Sequence, residues 1–295
     1  MGDPADIVGS SDAGRTAAIP MEVEAVRSIR WNRSIALGCS ACFVVLLAGS
    51  VLRTHGAPRL EPYEGLAAAI GTGEAYTALA SGPGAVLWNP AGILGPPGIH
   101  TVLATSLGPG DESSFVGGAT IGTEGIAVAW TTSSAGSPSR ITGSVAGRAL
   151  PGLQVGASLA FATGAADLGL SGDVGLRYAS TTWRIAAAAF GLLSESSLRL
   201  CIGGSLHTLP GLTLALDLRL EESGSEIALG GEATIWILTV RWGVAIGITG
   251  GFNHLGIGIG FDFLGMPVDL GAGFLGADLD PLIAGSLTLR FPAWW

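Results

Sequence analysis

Residues 212–220 read Leu-Thr-Leu-Ala-Leu-Asp-Leu-Arg-Leu, so every second side chain is leucine and those between are small or polar. Successive side chains of a β-strand point to opposite faces of a sheet, which gives this segment one apolar and one polar face. The same alternation returns at 238–248, 255–263 and 283–291. Repeated two-sided strands in a hydrophobic chain predict a β-barrel in a lipid bilayer.

The composition also favours a membrane barrel. Of the 295 residues, 48% are hydrophobic and only 13% are charged, about half the usual charged fraction of a soluble domain. The 48 glycines show no collagen repeat, and glycine within strands suits close packing and barrel curvature. A soluble β-sandwich or β-helix is the alternative. Such a fold would not normally place Leu, Ile, Val and Trp on one face of nearly every strand.

The alternation predicts fourteen strands, an even number as in bacterial single-chain barrels with both ends in the periplasm. The connections after the even-numbered strands are short and the others are longer, which matches the periplasmic turns and outer loops of such barrels. The predicted strands are 99–106, 114–121, 125–132, 140–149, 153–162, 173–179, 182–190, 198–206, 211–220, 225–233, 237–248, 254–263, 267–275 and 282–291.

Residues 1–57 are predicted to be an N-terminal extension and export signal. The apolar run Ile35–Leu52 follows three arginines, as an h-region follows a positive n-region. A true start at Met21 would place this n-region close to the terminus. An uncleaved inner-membrane anchor is the alternative. Export predicts a bacterial outer-membrane barrel with its N-terminus and C-terminus in the periplasm.

Charged side chains are assigned to the inside of the barrel, because a charge facing lipid is costly. The signs are mixed, which favours bracing of the wall and anchoring of a plug over an ion-selective ring. The predicted lumen charges are Arg140, Arg148, Arg177, Arg184, Arg199, Arg219, Arg241, Arg290, Asp173, Asp217, Glu226, Glu232, Asp262 and Asp269.

A segment between the signal and the first strand carries a family resemblance. Gly65–Ala80 is rich in small residues and contains Gly-Glu-Ala-Tyr, and it is followed by Trp88-Asn89-Pro90-Ala91-Gly92. This arrangement resembles the N-terminal signature of the PorV/PorQ and FadL-like outer-membrane barrel families. One departure is Ser81–Gly84, where the family usually has acidic residues. The resemblance implies a partly helical plug, or hatch, at 58–98 inside a barrel formed by 99–291.

The predicted lumen has room for such a plug. Fourteen strands enclose a space too wide to be filled by wall side chains alone. Glycines assigned to the inner face would let the small residues of the plug approach the wall closely. These glycines are Gly156, Gly175, Gly203, Gly243, Gly256, Gly258 and Gly260.

The C-terminus fits assembly in the outer membrane. The alternating segment 283–291 ends on Phe291 and resembles the last-strand signal that the barrel assembly machinery reads. Residues 292–295 form a predicted aromatic tail that anchors at the interface. Outer-membrane lipid and the barrel assembly machinery are therefore expected partners.

The leading functional prediction is transport of small hydrophobic or amphipathic molecules through a plugged lumen, as the FadL-like resemblance implies. The alternatives are a PorV-type component of protein secretion or surface attachment, which would bind a secretion translocon, and a structural barrel with a sealed lumen. The three histidines from residue 99 onward, at 100, 207 and 254, show no catalytic or metal-binding spacing. No enzyme activity, metal or cofactor is predicted, and the net charge of −9 argues against nucleic acid.

Overall fold

A computed structural model of the chain describes residues 66–108, 113–133, 139–163, 169–193, 198–222, 224–263, 266–276 and 278–291. The predicted signal at 1–57, residues 58–65 of the predicted plug and the tail at 292–295 lie outside the described residues. Within the described part of the chain, no helix is long and apolar enough to cross a membrane.

Fourteen antiparallel strands form a closed barrel, which confirms the predicted fold class. Each strand pairs with its neighbours in the chain, and β1 closes the barrel on β14 with Ile99 opposite Phe291. The strands are β1 (Ile99–Leu107), β2 (Ser113–Ile121), β3 (Ile126–Ser133), β4 (Ser139–Leu150), β5 (Leu153–Thr163), β6 (Gly169–Ala179), β7 (Trp183–Phe190), β8 (Arg199–Leu209), β9 (Leu212–Glu221), β10 (Gly224–Ile235), β11 (Leu238–Gly247), β12 (Phe252–Phe263), β13 (Met266–Leu275) and β14 (Asp280–Phe291).

Several predicted strand bounds were wrong at the ends. Strand β6 begins at Gly169 rather than at residue 173, because the small side chains before residue 173 give little alternation although their backbone pairs with β5. His207 and Thr234 were expected in turns but extend β8 and β10. His207 Nδ1 lies 2.9 Å from Thr213 Oγ1 on β9, so a cross-strand side-chain pair extends this ladder.

The two faces of each strand differ sharply in exposure. On β9, Leu216 is 50% exposed, whereas its neighbour Asp217 is fully buried. Trp130 and Trp242 are also exposed on the outer face. An apolar outer face and a polar inner face are the arrangement that a lipid bilayer requires of a barrel.

Arginine at position 216 should therefore impair assembly of the barrel. Leu216 lies near the middle of β9, opposite Leu229 of β10 and Gly204 of β8. We expect Leu216→Arg to destabilise the inserted barrel by roughly 2–4 kcal/mol, the cost of this charge at the bilayer midplane. Heat-modifiable gel mobility of the outer-membrane fraction measures the folded protein. Leu216→Met is the matched control, and equal folded fractions for the two variants would contradict the facing of this strand.

Residues 66–94 lie inside the barrel and are called the lumen segment below. They form short helical turns at Ala67–Gly71, Gly82–Gly84, Ala85–Trp88 and Pro90–Ile93. Small side chains dominate these turns, and most of them are buried. The segment fills the lumen with backbone rather than with large side chains, so its seating depends on the shape of the wall.

Candidate functional site

Glycines of the wall receive the backbone of the lumen segment. A Cβ atom at Gly256 would lie 1.9 Å from the carbonyl oxygen of Ile70, and one at Gly243 would lie 2.0 Å from that of Thr72. Real Cβ atoms do not approach so closely, so these positions accept only glycine while the segment stays in place. The backbone of the segment therefore packs directly against the backbone of the wall.

Most of the predicted lumen glycines take part in this fit. Gly156, Gly175, Gly203, Gly243, Gly256 and Gly258 all face the lumen segment. Gly260 does not, because its inner side faces the side chains of Asp269 and Arg241. Sequence reasoning missed Gly230 and Gly271, which contact the backbone at Thr72 and Ala67.

A buried ion-pair network joins the segment to β9, β10 and β12. Glu74 follows Gly73 in a left-handed turn, with φ of 67° and 58° respectively. The Arg219 guanidinium donates to the carboxylate and the carbonyl oxygen of Glu74 and to the carboxylate of Glu226. His254 Nδ1 lies 3.2 Å from the other carboxylate oxygen of Glu74. The left-handed turn thus presents one carboxylate to two strands of the wall.

The protonation state of Glu74 follows from its neighbours. Burial alone would raise its pKa, but the charge of Arg219 and the contacts with His254 outweigh burial and lower the pKa from 4.5 to about 2. Glu74 is therefore ionised at neutral pH. Arg219, which is 3% exposed, lies between this carboxylate and that of Glu226.

Asp217 holds the chain just after this turn. Its Oδ2 accepts the backbone N–H groups of Tyr76 at 2.9 Å and of Thr77 at 2.7 Å. A Cβ at Gly203 of the adjacent strand would lie 2.3 Å from Oδ1 of the same carboxylate. Asp217 and Arg219 are two residues apart on β9 and face the same side, so this strand contributes two consecutive anchors.

Asn89, within the predicted plug motif, links two parts of the molecule. Its Nδ2 donates to the carbonyl oxygen of Thr77 at 3.3 Å and to that of Leu176 on β6 at 3.2 Å. Its Oδ1 accepts from the N–H of Ala91 at 3.0 Å and caps the last helical turn. An asparagine side chain can donate and accept at once, so Asn89 binds two carbonyl groups and one N–H group.

Trp88 packs beneath the ion-pair network. Its ring meets that of Tyr76 edge-on, with centroids 5.7 Å apart and planes at 76°. The guanidinium carbon of Arg219 lies 5.5 Å from the Trp88 ring centroid, within the range of a cation–π contact. Tyr76 and Trp88 both belong to the segment, so the buried arginine of the wall packs against an aromatic pair of the segment.

The other motif residues pack by close backbone approach. The carbonyl carbon of Pro90 lies 2.3 Å from the position that a Cβ of Gly156 would occupy. Gly92 approaches Ala80 in the same way, because its Cβ would lie 2.2 Å from the Ala80 carbonyl oxygen. Ala91 is fully buried. The motif therefore folds the segment back on itself against β5 and β6.

A second arginine also binds the segment. Arg177 of β6 donates from Nη1 to the carbonyl oxygen of Ala80 at 2.7 Å and from Nε to Gln154 at 2.8 Å. Among the predicted lumen charges, Arg177, Asp217 and Arg219 have direct bonds to residues 66–94 in the described structure.

Several other predicted charges brace the wall. Arg241 lies 2.6 Å from Asp269 and 3.4 Å from Glu232. Arg140 lies 3.2 Å from Asp173, whose other oxygen accepts from a backbone N–H at the end of β7. These pairs join neighbouring or nearby strands.

The remaining predicted charges lie outside these groups. Arg199 pairs with Glu221 at 3.7 Å, across β8 and β9. Arg184 lies near the start of β7. Three other predicted charges are exposed near the short-turn end of the barrel: Arg148, Arg290 and Asp262.

Sequence reasoning missed Glu74 and His254 as members of the site. Glu74 is the only charged residue between positions 66 and 94, and a lone charge in a small-residue segment was the available signal. His254 had no such signal, because its role depends on the position of β12 relative to the segment.

A cavity of about 320 Å³ lies beside the segment, towards the short turns. Its lining combines apolar side chains, polar hydroxyls and charged groups from β1, β2, β11, β13 and β14. Representative lining residues are Leu66, Ile93, Val102, His100, Ser286 and Arg290. The volume falls at the lower end of the range for small-molecule sites.

No family model matches the sequence, and no curated protein matches it either. Among solved structures, the chain is similar to the toluene transporter TbuX of Ralstonia pickettii, with a TM-score of 0.57 and 14% identity over 77% of this chain and 99% of that chain. It is also similar to a TodX deltaS2S3 mutant, a monoaromatic hydrocarbon channel, with a TM-score of 0.61 and 12% identity over 79% of this chain and 100% of that chain. At these identities the likeness shows the fold. The PorV/PorQ resemblance stays a prediction.

Proposed function

We propose that this chain is a transport protein of the bacterial outer membrane, with both termini in the periplasm, that passes small hydrophobic or amphipathic molecules through its plugged lumen. The observation that carries the proposal is a separate segment seated inside a closed barrel by side chains of the wall, among them Arg177, Asp217 and Arg219. A barrel with a purely structural role has no need of a lumen wide enough to hold such a segment. The similarity in fold to a toluene transporter and a hydrocarbon channel supports the same reading.

The chemistry of the lumen supports the substrate class. The inner face offers small side chains and paired charges of both signs rather than a ring of one sign. A one-sign ring would favour ions. The cavity beside the segment combines apolar side chains with hydroxyl, imidazole and charged groups, which suits a compact molecule that has an apolar body and a polar end.

Uptake by cells tests the proposal. Cells with and without the gene receive labelled toluene and labelled decanoate, and the folded barrel is quantified by heat-modifiable mobility. We expect faster uptake of at least one compound in the cells that contain the barrel. If cells with and without the gene took up each compound at the same rate, the proposal would be contradicted. Co-isolation of the barrel with a translocon would then favour the secretion alternative.

A further inference from the structure

Within the described residues, the bonds from wall side chains to the lumen segment come from one side of the barrel. Polar side chains of the wall bind it from β6, β9 and β12, through Arg177, Asp217, Arg219 and His254. The glycines whose Cβ atoms would crowd the segment lie on β5, β6, β8 and β10–β13. This arc of the wall combines ion pairs with contacts at backbone distance.

The opposite arc, formed by β14, β1 and β2, holds the segment differently. Leu66, Val86 and Ile93 belong to one apolar cluster with Val102 and other wall residues. A second cluster joins Ala67 and Ile70 to Leu282 and Ala284 of β14. In the described part of the chain, no hydrogen bond connects residues 66–94 to these three strands.

The cavity lies on this same side. Strands β14, β1 and β2 contribute most of its strand residues, and β11 and β13 contribute Arg241, Pro267 and Asp269 at one edge. The cavity faces the segment at Leu66, Pro83 and Ile93. The apolar contacts therefore border an existing space that lies towards the short-turn end of the barrel.

We propose that transported molecules pass between the lumen segment and the β14–β1–β2 arc, with the cavity as the chamber on the short-turn side. This inference rests on the proposed transport function. An apolar molecule that enters here replaces apolar contacts with contacts of the same kind. Entry on the other side would separate buried charges and leave them without partners, which is far more costly. The segment therefore yields on one side while β6, β9 and β12 hold it.

A disulfide across the proposed passage tests the inference. A Cβ at Gly118 of β2 would lie 3.5 Å from the Cβ of Pro83 and would make only ordinary contacts with its other neighbours. That separation is suitable for a disulfide. Pro83→Cys with Gly118→Cys is prepared in a background where the natural cysteines at 39, 42 and 201 are alanine.

The readout is the flux of labelled toluene and labelled decanoate into liposomes that contain the purified barrel. We expect oxidation of the double variant to reduce the flux about tenfold, by removing the open state, and dithiothreitol to restore it. Each single variant serves as the control and should not respond to oxidation. Full flux with the disulfide formed would overturn the inference.

A second variant covers the case in which the disulfide does not form. Val102→Trp adds bulk to the wall of the proposed passage, whereas Leu103→Trp adds it to the lipid-facing side of the same strand. We expect only Val102→Trp to reduce the flux, again about tenfold, at equal heat-modifiable mobility. Equal flux for the two folded variants would overturn the proposed route. A parent barrel that carries neither compound would instead contradict the transport function.

Discussion

Replacing Arg219 with methionine should loosen the lumen segment from β9, where Asp217 remains as the second anchor. Arg219 is almost fully buried and lies between the carboxylates of Glu74 and Glu226. Methionine keeps an unbranched side chain near Trp88 but removes the cation, so the buried Glu74 carboxylate loses its main partner. Removing one member of a buried ion pair typically costs about 3–5 kcal/mol. We expect a loss of this size in the free energy that seats the segment.

Limited proteolysis of the segment and conductance in planar bilayers measure this loosening. Both should increase in Arg219→Met. Adding Glu74→Gln should restore part of the protection of the segment from proteolysis, because the unpaired buried charge is then absent. The double-mutant cycle gives the coupling energy between Arg219 and Glu74. Arg199→Met is the control, since Arg199 pairs with Glu221 within the wall. A segment that stays as protected in Arg219→Met as in the parent would contradict the anchoring role.

Valine at position 256 should prevent the segment from seating at all. The added Cβ would lie 1.9 Å from the carbonyl oxygen of Ile70 and 2.8 Å from the backbone nitrogen of Gly73. Both neighbours are backbone atoms, so no flexible side chain can move aside. Overpacking of a well-packed core costs roughly 1–3 kcal/mol and occasionally more, and here a bulkier side chain meets backbone on the segment. We expect a folded barrel with a displaced segment.

Gly143→Val is the matched control for this variant. Gly143 also lies within a strand, but a Cβ there meets nothing within 4 Å. Both variants add the same side chain to a barrel strand, so their intrinsic strand preferences are matched. Gly256→Val should increase conductance and cleavage of the segment, and Gly143→Val should change neither. Parent-like conductance and cleavage in both variants would show that the segment does not depend on the glycine fit.

The strand pattern was predictable because it is local. Alternation reports which side chains share a face, and each strand carries that information in its own residues, as the leucines and Asp217 of β9 illustrate. The prediction failed where alternation is weak, at Gly169–Gly172, and where strands continue to a tight turn, at His207 and Thr234. In those places pairing with the neighbouring strand decides the bounds.

The site was less predictable because its partners are distant in the chain. Arg219 and Glu74 are 145 residues apart, and Asn89 contacts Leu176 across 87 residues. Nothing local to either residue of such a pair selects the other. The motif around Asn89 indicated a plug, yet the carbonyl groups that it binds are defined only when the segment lies against β6.

The sequence by itself determined the barrel and its number of strands, because the alternation of side chains follows from backbone geometry and a lipid bilayer requires an apolar outer face. Only the tertiary structure decided which charges meet the lumen segment, which glycines receive its backbone and which side of the barrel holds it by apolar contact alone. Those features depend on the register of fourteen strands around a closed ring and on the path of the segment through it. These contacts join residues that are distant in the chain, so the local sequence around either partner does not specify them.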